Sequence, residues 1–309
     1  MVNVQNLVKR YGALLALDHF DLQVREGEIV GLLGPNGSGK TTVINCILAL
    51  LKYDKGSIEV FGEPMRPDAY HIKQNIGIVM QNVAVFRELS VYENIDYFCG
   101  LYVDDRVLRR ELVEEAIEFV GLRDFRAFMP YKLSGGLLRR LNIACGIAHK
   151  PRLLILDEPT VAVDPQSRNK ILEGIQELNG AGTTVIYTSH YMEEVEQLCT
   201  RIVIMDQGRP IATGTTAELK AMINQGEAIS VETYLLTPEQ LAEIRRLPHV
   251  SRAQFSENLL SVRYDGGEHN LLTLLDHLKA EELLFNKVYS EQPTLNDVFL
   301  EITGRQLRD

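Results

Sequence analysis

The stretch that decides the fold is "VGLLGPNGSGKTTVIN", residues 30–45. It contains the pattern Gly-x-x-x-x-Gly-Lys-Thr, which runs from Gly34 to Gly39, Lys40 and Thr41. Glycines in this pattern permit a tight turn whose backbone N–H groups point at phosphate oxygens, and the start of the following helix offers its positive dipole end to the same charge. The stretch therefore predicts a strand, a phosphate-binding loop and a helix, but it does not say what the bound nucleotide is used for.

The loop is predicted to bind ATP together with Mg²⁺. A strand-like segment, "GEIVGLL", precedes it and a helix-like segment, "KTTVINCILALL", follows it, which is the context that the motif requires. We expect Lys40 to reach the β and γ phosphates and Thr41 to ligate magnesium. The candidate nucleotide-binding residues of the loop are Gly34, Asn36, Gly37, Ser38, Gly39, Lys40, Thr41 and Thr42.

Length and charge limit the classes of partner. The chain has 309 residues and a formal net charge of -10. Broad binding to a nucleic-acid backbone needs a basic face, so this charge argues against nucleic acid as a partner. The longest apolar run, "VINCILALLK", is about half of the ~20 residues that a bilayer-spanning helix needs. We therefore expect a globular chain that does not cross a membrane by itself.

Strand-like and helix-like segments alternate up to about residue 220. Apolar strands such as "RLLILDE" and "TTVIYTSH" are each followed by an amphipathic helix, which is typical of a mostly parallel sheet covered on both faces. Between about residues 85 and 150 the sequence becomes charged and helical with hardly a strand, which indicates a helical insert. The predicted fold class is α/β, with a nucleotide-binding domain of residues 1–225 that contains this helical subdomain.

A second alternation follows in residues 226–309. Its elements are predicted in the order β-α-β-β-α-β, a ferredoxin-like order, with the helix "TLNDVFLEITG" appended. The first helix, "TPEQLAEIRRL", is opened by Thr237, and Gln240 stands at the third following position as in a capping box. We therefore predict a small α+β domain at the C-terminus, with its boundary near residue 225.

Two further motifs suit nucleotide chemistry. "LLILDEPT" places Asp157 and Glu158 at the carboxyl end of a buried strand, where ligands gather in open α/β sheets. Asp157 suits magnesium binding and Glu158 suits a base that polarises water.

"KLSGGLLRRLNIACGIAH" begins a helix at Ser134, Gly135 and Gly136, where small residues let a phosphate approach free N–H groups. Taken alone, these motifs also fit a solvated strand end and an ordinary helix cap. Because one nucleotide needs one cradle, the second cradle is expected to serve a nucleotide held by another copy.

With these motifs the chain resembles the nucleotide-binding subunit of an ABC transporter, over essentially all of residues 1–220. "GPNGSGKT" is similar to the Walker A loop of that family, "LSGG" to its signature and "LLILDE" to its Walker B strand. "VAVDP", with Asp164, resembles the D-loop, and "TSH" places His190 at the switch position. Gln81 in "IGIVMQN" falls where the Q-loop belongs, and Tyr11 in "RYGALLALD" matches the aromatic residue that stacks on adenine. Seven motifs occur in the family's order.

The resemblance implies an ABC ATPase cassette of the P-loop NTPase class and gives each motif a role. It implies that Glu158 is the catalytic base, that His190 holds the γ phosphate and the attacking water, and that Gln81 contacts the metal or that water. The implied metal ligands are Thr41, Gln81 and Asp157. The implied nucleotide contacts outside the loop are Tyr11, Ser134, Gly135, Gly136 and Asp164.

The resemblance also implies partners. It predicts a homodimer, or a heterodimer with a related cassette, beneath a separate membrane permease and peripheral on the cytoplasmic face of the membrane. The tail "PTLNDVFLEITGR" is similar to the ABC-2 type branch, which exports drugs and antibiotics.

A candidate docking surface lies at the start of the helical insert. The stretch is too apolar for a plain solvated loop, and its apolar residues are Val83, Val85, Phe86 and Leu89. Docking is favoured for Phe86, whereas docking and core packing are equally open for Val83 and Val85.

Two rival functions and two departures from the family pattern remain. One rival is a soluble ABC ATPase acting on a non-transport partner, which co-purification with ribosomes or DNA instead of a membrane protein would reveal. The other is a phosphotransferase that uses the loop alone, which leaves "LSGG" and His190 unexplained. Leu137 and Leu138 follow the signature where the family commonly has a polar residue or Met, and Ala162 stands where Gly usually precedes the D-loop. Neither departure removes a phosphate donor.

Overall fold

Three β-sheets organise the chain in the computed structural model, which describes residues 1–223, 227–267, 269–291 and 293–303. Residue contacts divide it into two units, of which the first is Met1–Thr215 and the second begins at Thr216. The strands of the first unit are β1 (Val2–Tyr11), β2 (Leu14–Val24), β3 (Ile29–Leu33), β4 (Lys55–Val60), β5 (Glu63–Pro64), β6 (Ile76–Val79), β7 (Leu153–Asp157), β8 (Thr184–Ser189), β9 (Arg201–Asp206) and β10 (Arg209–Gly214). Its helices are α1 (Lys40–Ile47), α2 (Tyr70–Lys73), α3 (Val91–Gly100), α4 (Arg106–Phe119), α5 (Gly135–Ile147), α6 (Pro165–Gly180) and α7 (Met192–Leu198).

The central sheet has six strands in the order β10-β9-β3-β8-β7-β6. The neighbours from β9 to β6 are parallel, and β10 joins the edge antiparallel to β9. Every residue of β3, β7 and β8 is buried, which is why these strands are continuous apolar runs. The mostly parallel α/β sheet predicted from the sequence is confirmed, and it brings the carboxyl ends of β3, β7 and β8 to one edge.

A second sheet, of four antiparallel strands in the order β2-β1-β4-β5, was not predicted. Its core side joins the central sheet and α1 in a single apolar cluster, in which Val4 and Phe20 pack with Leu32 and Ile44. Several register shifts interrupt the pairing of β1 with β2 and β4. Such irregularities break the period-two alternation that identifies a strand in sequence. The sheet places the turn between Tyr11 and Leu14 beside the phosphate-binding loop.

The helical insert consists of α3, α4 and α5, with short 3₁₀ turns at Arg123–Phe125 and Pro130–Lys132, and it lies between β6 and β7. The three helices pack on one another. Ser90 opens α3 with a capping box completed by Glu93, and Ser134 caps α5 by accepting the N–H of Leu137. These caps satisfy donors that the first turn of a helix leaves free.

The second unit contains α8 (Thr216–Ala221), β11 (Ala228–Thr233), α9 (Pro238–Ile244), β12 (Val250–Ser256), β13 (Leu259–Tyr264), α10 (Asn270–Ala280), β14 (Phe285–Glu291) and α11 (Leu295–Thr303). Its antiparallel sheet has the order β12-β13-β11-β14, and this is the ferredoxin-like arrangement of a β-α-β-β-α-β chain. The capping box of Thr237 and Gln240 is present as predicted. The unit begins at Thr216 and not near residue 225, because α8 packs against α11.

Candidate nucleotide site

The phosphate-binding loop joins the end of β3 to α1, and its glycines are sterically required. A Cβ on Gly34 would lie 2.4 Å from the carbonyl oxygen of Met205, and one on Gly39 would lie 2.9 Å from that of Ala16. Gly39 also has a φ of 108°, a conformation that side chains disfavour. As the N-cap of α1 it supplies no capping side chain, so the first N–H groups of the helix remain for phosphate oxygens.

Lys40 is the buried cation of the loop. Its side chain is 5% exposed, and Nζ donates to the carbonyl oxygens of Gly34 at 2.8 Å and Pro35 at 3.2 Å. Nζ also lies 3.4 Å from Glu158 Oε1. Burial lowers the pKa of Lys40, while the nearby carboxylates of Glu158 and Asp157 oppose that shift. The ammonium group is thus held at the base of the loop, where an anionic phosphate would be a stronger partner than the two carbonyls.

Asp157 ends β7 and Glu158 follows it directly, and neighbouring elements hold both carboxylates. Thr41 Oγ1 donates to Asp157 Oδ2 at 2.9 Å, and Thr188 Oγ1 donates to Asp157 Oδ1 at 2.6 Å. Gln81 Nε2 donates to Glu158 Oε2 at 3.2 Å, and His190 Nδ1 lies 3.4 Å from Glu158 Oε1. The adjacent parallel strands β7 and β8 pair Asp157 with Thr188, which is why motifs far apart in sequence meet at one edge of the sheet.

Thr41, Gln81 and Glu158 line a cavity of about 890 Å³, whereas Asp157 and His190 are not among its lining residues. The predicted residues that line it are Tyr11, Asn36, Gly37, Gly39, Lys40, Thr41, Thr42, Gln81 and Glu158. Tyr11 is 49% exposed, so one face of its ring remains available to a base. Ser38 is buried below the loop and its hydroxyl has no hydrogen-bond partner among the described residues. The volume of the cavity and its mixture of apolar and polar lining residues suit a nucleotide.

The opposite wall of the cavity was not predicted. It comes from β2 and from the turn between β9 and β10, and it includes Leu14, Leu15, Ala16, Asp18, Asp206, Gln207, Arg209 and Ile211. Arg209 Nε donates to Asp18 Oδ2 at 2.6 Å, which joins the two elements. No short motif marks these residues in the sequence, since they become neighbours only when two different sheets pack together. Only the "RYGALLALD" segment that contains Tyr11 gave a signal for this wall.

Arg139 connects Gln81 to the signature helix α5. The residue is 5% exposed, and its guanidinium donates to the carbonyl oxygens of Met80 at 3.0 Å and Gln81 at 2.7 Å. Desolvation lowers the pKa of Arg139 from the usual arginine value. Asn142, one turn further along α5, accepts the N–H of Ala84 at 3.1 Å. The backbone that carries Gln81 is therefore attached to α5 at two points.

The signature residues do not reach the cavity of their own chain. Among the described residues that line it, none belongs to the segment 134–136, and Asp164 is also absent. Asp164 instead caps α6 by accepting the N–H of Ser167 at 2.9 Å, and this bond lowers the pKa of its carboxyl group. A Cβ on Gly136 would lie 2.5 Å from Ser167 Oγ and 3.0 Å from Asp164 Oδ2. The signature and the D-loop thus meet each other, away from the phosphate-binding loop.

The donor set fits Mg²⁺ only in combination with a phosphate. Within the described ranges no cluster of three or more His, Cys, Asp or Glu residues could hold a metal alone. Thr41 Oγ1 and Asp157 Oδ2 lie 2.9 Å apart at the edge of the cavity, and Mg²⁺ typically takes one or two protein oxygens together with substrate phosphates and water. None of the described helices is both long and apolar enough to span a bilayer.

Comparison with known proteins agrees with this geometry. Residues 17–161 match the family model described as ABC transporter, and residues 214–303 match the model described as ATP-binding protein DrrA1-3-like, C-terminal domain. The linearmycin resistance ATP-binding protein LnrL of Bacillus subtilis (strain 168) is 39% identical over 311 residues and is covered completely, as is this chain. The daunorubicin resistance ATP-binding protein DrrA3 of Streptomyces coeruleorubidus is 36% identical, with 99% of this chain and 97% of that protein covered.

Solved structures are similar as well. The dimeric structure of MJ0796, a bacterial ABC transporter cassette, superposes with a TM-score of 0.65 at 27% identity and covers 70% of this chain and 98% of that one. The same cassette in a post-hydrolysis state bound to ADP and Pi gives a TM-score of 0.64 at 28% identity. This chain therefore belongs to the ATP-binding proteins of ABC transporters, in the branch of the drug-resistance and Nod factor export proteins, and it is an ATPase.

Proposed function

We propose that this chain powers an ABC-2 type exporter by binding and hydrolysing MgATP as a dimer beneath a separate membrane permease, on the cytoplasmic face of the membrane. The observation that carries the proposal is the position of Glu158. Its carboxylate faces Lys40 and His190 at 3.4 Å each and Gln81 at 3.2 Å, at the edge of the cavity that contains the phosphate-binding loop. A carboxylate in that position suits a base that takes a proton from water attacking the γ phosphate.

The same contacts suggest how hydrolysis depends on nucleotide. The Lys40 ammonium lies between two carbonyl oxygens and Glu158. When the phosphates bind, they would draw Lys40 toward the β and γ oxygens and leave Glu158 with His190 and Gln81. Mg²⁺, held by Thr41 and Asp157, would neutralise charge on the phosphates. His190 would then hold the attacking water against Glu158 while the loop N–H groups fix the phosphates.

The dimer is proposed because one chain leaves its signature unused. Gly136 lies beside Asp164, and neither Gly136 nor Ser134 lines the cavity of the same chain. In a head-to-tail pair, each signature would bind the γ phosphate of the nucleotide held by the other copy through the free N–H groups at the start of α5. The structure of the similar MJ0796 cassette is dimeric. Both a homodimer and a heterodimer with a related cassette satisfy this arrangement.

Coupling to a permease is proposed through the start of the helical insert. Phe86 is 42% exposed, and its ring packs against Tyr97 (centroids 4.9 Å apart) and Phe98 (5.8 Å). Asn94 fixes the backbone of this segment by accepting the N–H of Phe86 at 2.7 Å and donating to its carbonyl at 3.0 Å. A membrane helix seated on Phe86 would therefore push on a stiff segment that leads directly to Gln81. Export is favoured because relatives are named for antibiotic resistance and Nod factor export.

The test is the Glu158→Gln variant, which removes the proton acceptor but keeps the shape of the side chain. We expect ATP hydrolysis to fall about 10²- to 10⁴-fold, as for loss of a general base, while ATP affinity is retained and dimers accumulate in size-exclusion chromatography. Lys40→Ala is the matched control: it should lose ATP affinity and form no ATP-dependent dimer. Hydrolysis by Glu158→Gln at the parental rate would remove Glu158 from the mechanism. Co-purification of the parental chain with ribosomes or DNA instead of a membrane protein would favour the non-transport alternative.

A further inference from the structure

A buried carboxylate outside the cavity binds several of the segments that form the candidate site. Glu194, in the first turn of α7, is 2% exposed. Its Oε2 accepts hydrogen bonds from three hydroxyl groups: Thr160 Oγ1 at 2.8 Å, Tyr187 OH at 2.7 Å and Ser189 Oγ at 3.1 Å. Burial, and then the charge of Glu194, raise the pKa of Tyr187 well above its usual value, so the phenol stays protonated and donates.

The other oxygen of this carboxylate faces a cation from a different helix. Arg168 Nε, in α6, lies 3.2 Å from Glu194 Oε1. The Arg168 guanidinium also lies over the ring of Tyr191, 4.9 Å from its centroid, and that ring packs against His190 with centroids 4.1 Å apart. Glu194, Arg168, Tyr191 and the candidate switch histidine thus form a continuous series of contacts.

The segments that meet at Glu194 are those that carry the candidate catalytic groups. Thr160 follows Glu158 by two residues, and Ser189 immediately precedes His190. Ser189 Oγ also accepts the N–H of Tyr191 at 2.9 Å, so the turn that contains His190 is closed by a side chain that Glu194 itself holds. The carboxylate therefore reaches His190 by two routes, through the Ser189 hydroxyl and through the contact of Arg168 with the Tyr191 ring.

We propose that Glu194 is a positioning residue for ATP hydrolysis, which holds the imidazole of His190 at the carboxylate of Glu158. The inference rests on the role of His190 in the proposed function. Glu194 lines no part of the nucleotide cavity, so it acts on the reaction only through the side chains that it binds. Loss of its charge would release Arg168 and loosen the turn at His190 without changing the phosphate-binding loop.

The test measures steady-state ATP hydrolysis by the full chain. Glu194→Gln keeps the volume of the side chain but removes the charge that faces Arg168. We expect kcat to fall about tenfold, because small misplacement of a catalytic group is enough for a loss of this size, while KM for ATP stays within about twofold, since the loop is untouched. In a His190→Ala background, Glu194→Gln should lower kcat further by less than about twofold, because residues that act through one another are not additive.

A matched pair on β8 separates positioning from general support of the fold. Ser189→Ala and Tyr187→Phe each remove one hydroxyl donor to the same oxygen of Glu194, and both residues are buried. Only Ser189 also holds the turn at His190. We therefore expect Ser189→Ala to lower kcat about tenfold and Tyr187→Phe to lower it less than about twofold. This pair also decides the question if Glu194→Gln fails to fold.

Two results overturn the inference, and a third is diagnostic of the proposed function. If Glu194→Gln lowers kcat by the same factor with and without His190, Glu194 does not act through that residue. If Ser189→Ala and Tyr187→Phe lower kcat equally, the carboxylate only supports the fold. If His190→Ala itself hydrolyses ATP at the parental rate, the proposed role of His190 fails and the positioning role fails with it.

Discussion

Replacing Thr188 with valine removes one hydroxyl group from the buried meeting point of β7 and β8 and preserves the shape of the side chain. Thr188 and Asp157 are both fully buried, and the bond between them, 2.6 Å long, ends on a carboxylate. A hydrogen bond to a charged group contributes about 2 kcal/mol. The N–H of Glu158 loses its bond to Thr188 Oγ1 but keeps the carbonyl of the same residue at 3.2 Å. We therefore expect unfolding to require about 2 kcal/mol less free energy, which lowers the melting temperature by roughly 4–8 °C.

The assay is thermal denaturation followed by circular dichroism, with Thr184→Val as the matched control. Thr184 lies in the same strand and is equally buried, but its hydroxyl accepts a neutral bond from the N–H of Gly27 at 2.9 Å. Its loss should cost about 1 kcal/mol. Thr188→Ser, which keeps the hydroxyl and loses a methyl group, should also cost only about 0.8 kcal/mol. A melting temperature for Thr188→Val no lower than that of the two controls would refute the argument that this bond holds the Asp157 carboxylate.

Three further predictions test the docking surface at Phe86, the sharing of sites between two copies and the backbone strain at Ala162. Phe86→Asp should keep the ATPase activity of the isolated chain but lose capture by permease-containing membranes. Phe128→Asp, in the same insert and also 42% exposed, should keep both the ATPase activity and the capture. Equal capture of the two variants would exclude Phe86 from the docking surface. Mixing Lys40→Ala with Ser134→Arg should partly restore ATPase, since one heterodimer site has neither lesion; no recovery in tagged heterodimers would count against shared sites. Ala162→Gly should raise the free energy of unfolding, measured in urea, by about 0.5 kcal/mol. Ala162 has a φ of 60°, and the relief of this left-handed strain exceeds the entropy that glycine adds to the unfolded chain. A free energy of unfolding below that of the parental chain would contradict this.

The sequence predicted best those features that local chemistry determines. Buried parallel strands are continuous apolar runs, so β3, β7 and β8 could be placed from the sequence. The loop could be placed because positions 34 and 39 leave no room for a side chain, which makes glycine necessary in the motif. The meeting of Asp157 with Thr41 was expected from the motifs and from the rule that ligands gather at the carboxyl ends of strands.

Features that depend on packing between elements were missed. The sheet of β1, β2, β4 and β5 contains register shifts that hide its alternation. Asp18 and Arg209 form one cavity wall although 191 positions separate them, and the motif that ends at Asp18 gives no indication of its pairing with Arg209. Glu194 stands among other glutamates at the start of a helix, where a charged residue normally faces solvent; its burial becomes visible only when β8 and α6 pack around it.

The two bonds from Arg139 to consecutive carbonyl groups have a practical consequence for anyone redesigning this chain. A guanidinium is planar and presents its donors as a fork, whereas an ammonium group is a compact point charge on a flexible stem. Lysine at position 139 could not hold the carbonyls of Met80 and Gln81 at 3.0 Å and 2.7 Å in the same way. Libraries that treat the two basic residues as interchangeable would therefore remove one of the two attachments of this segment to α5 while leaving every named motif intact.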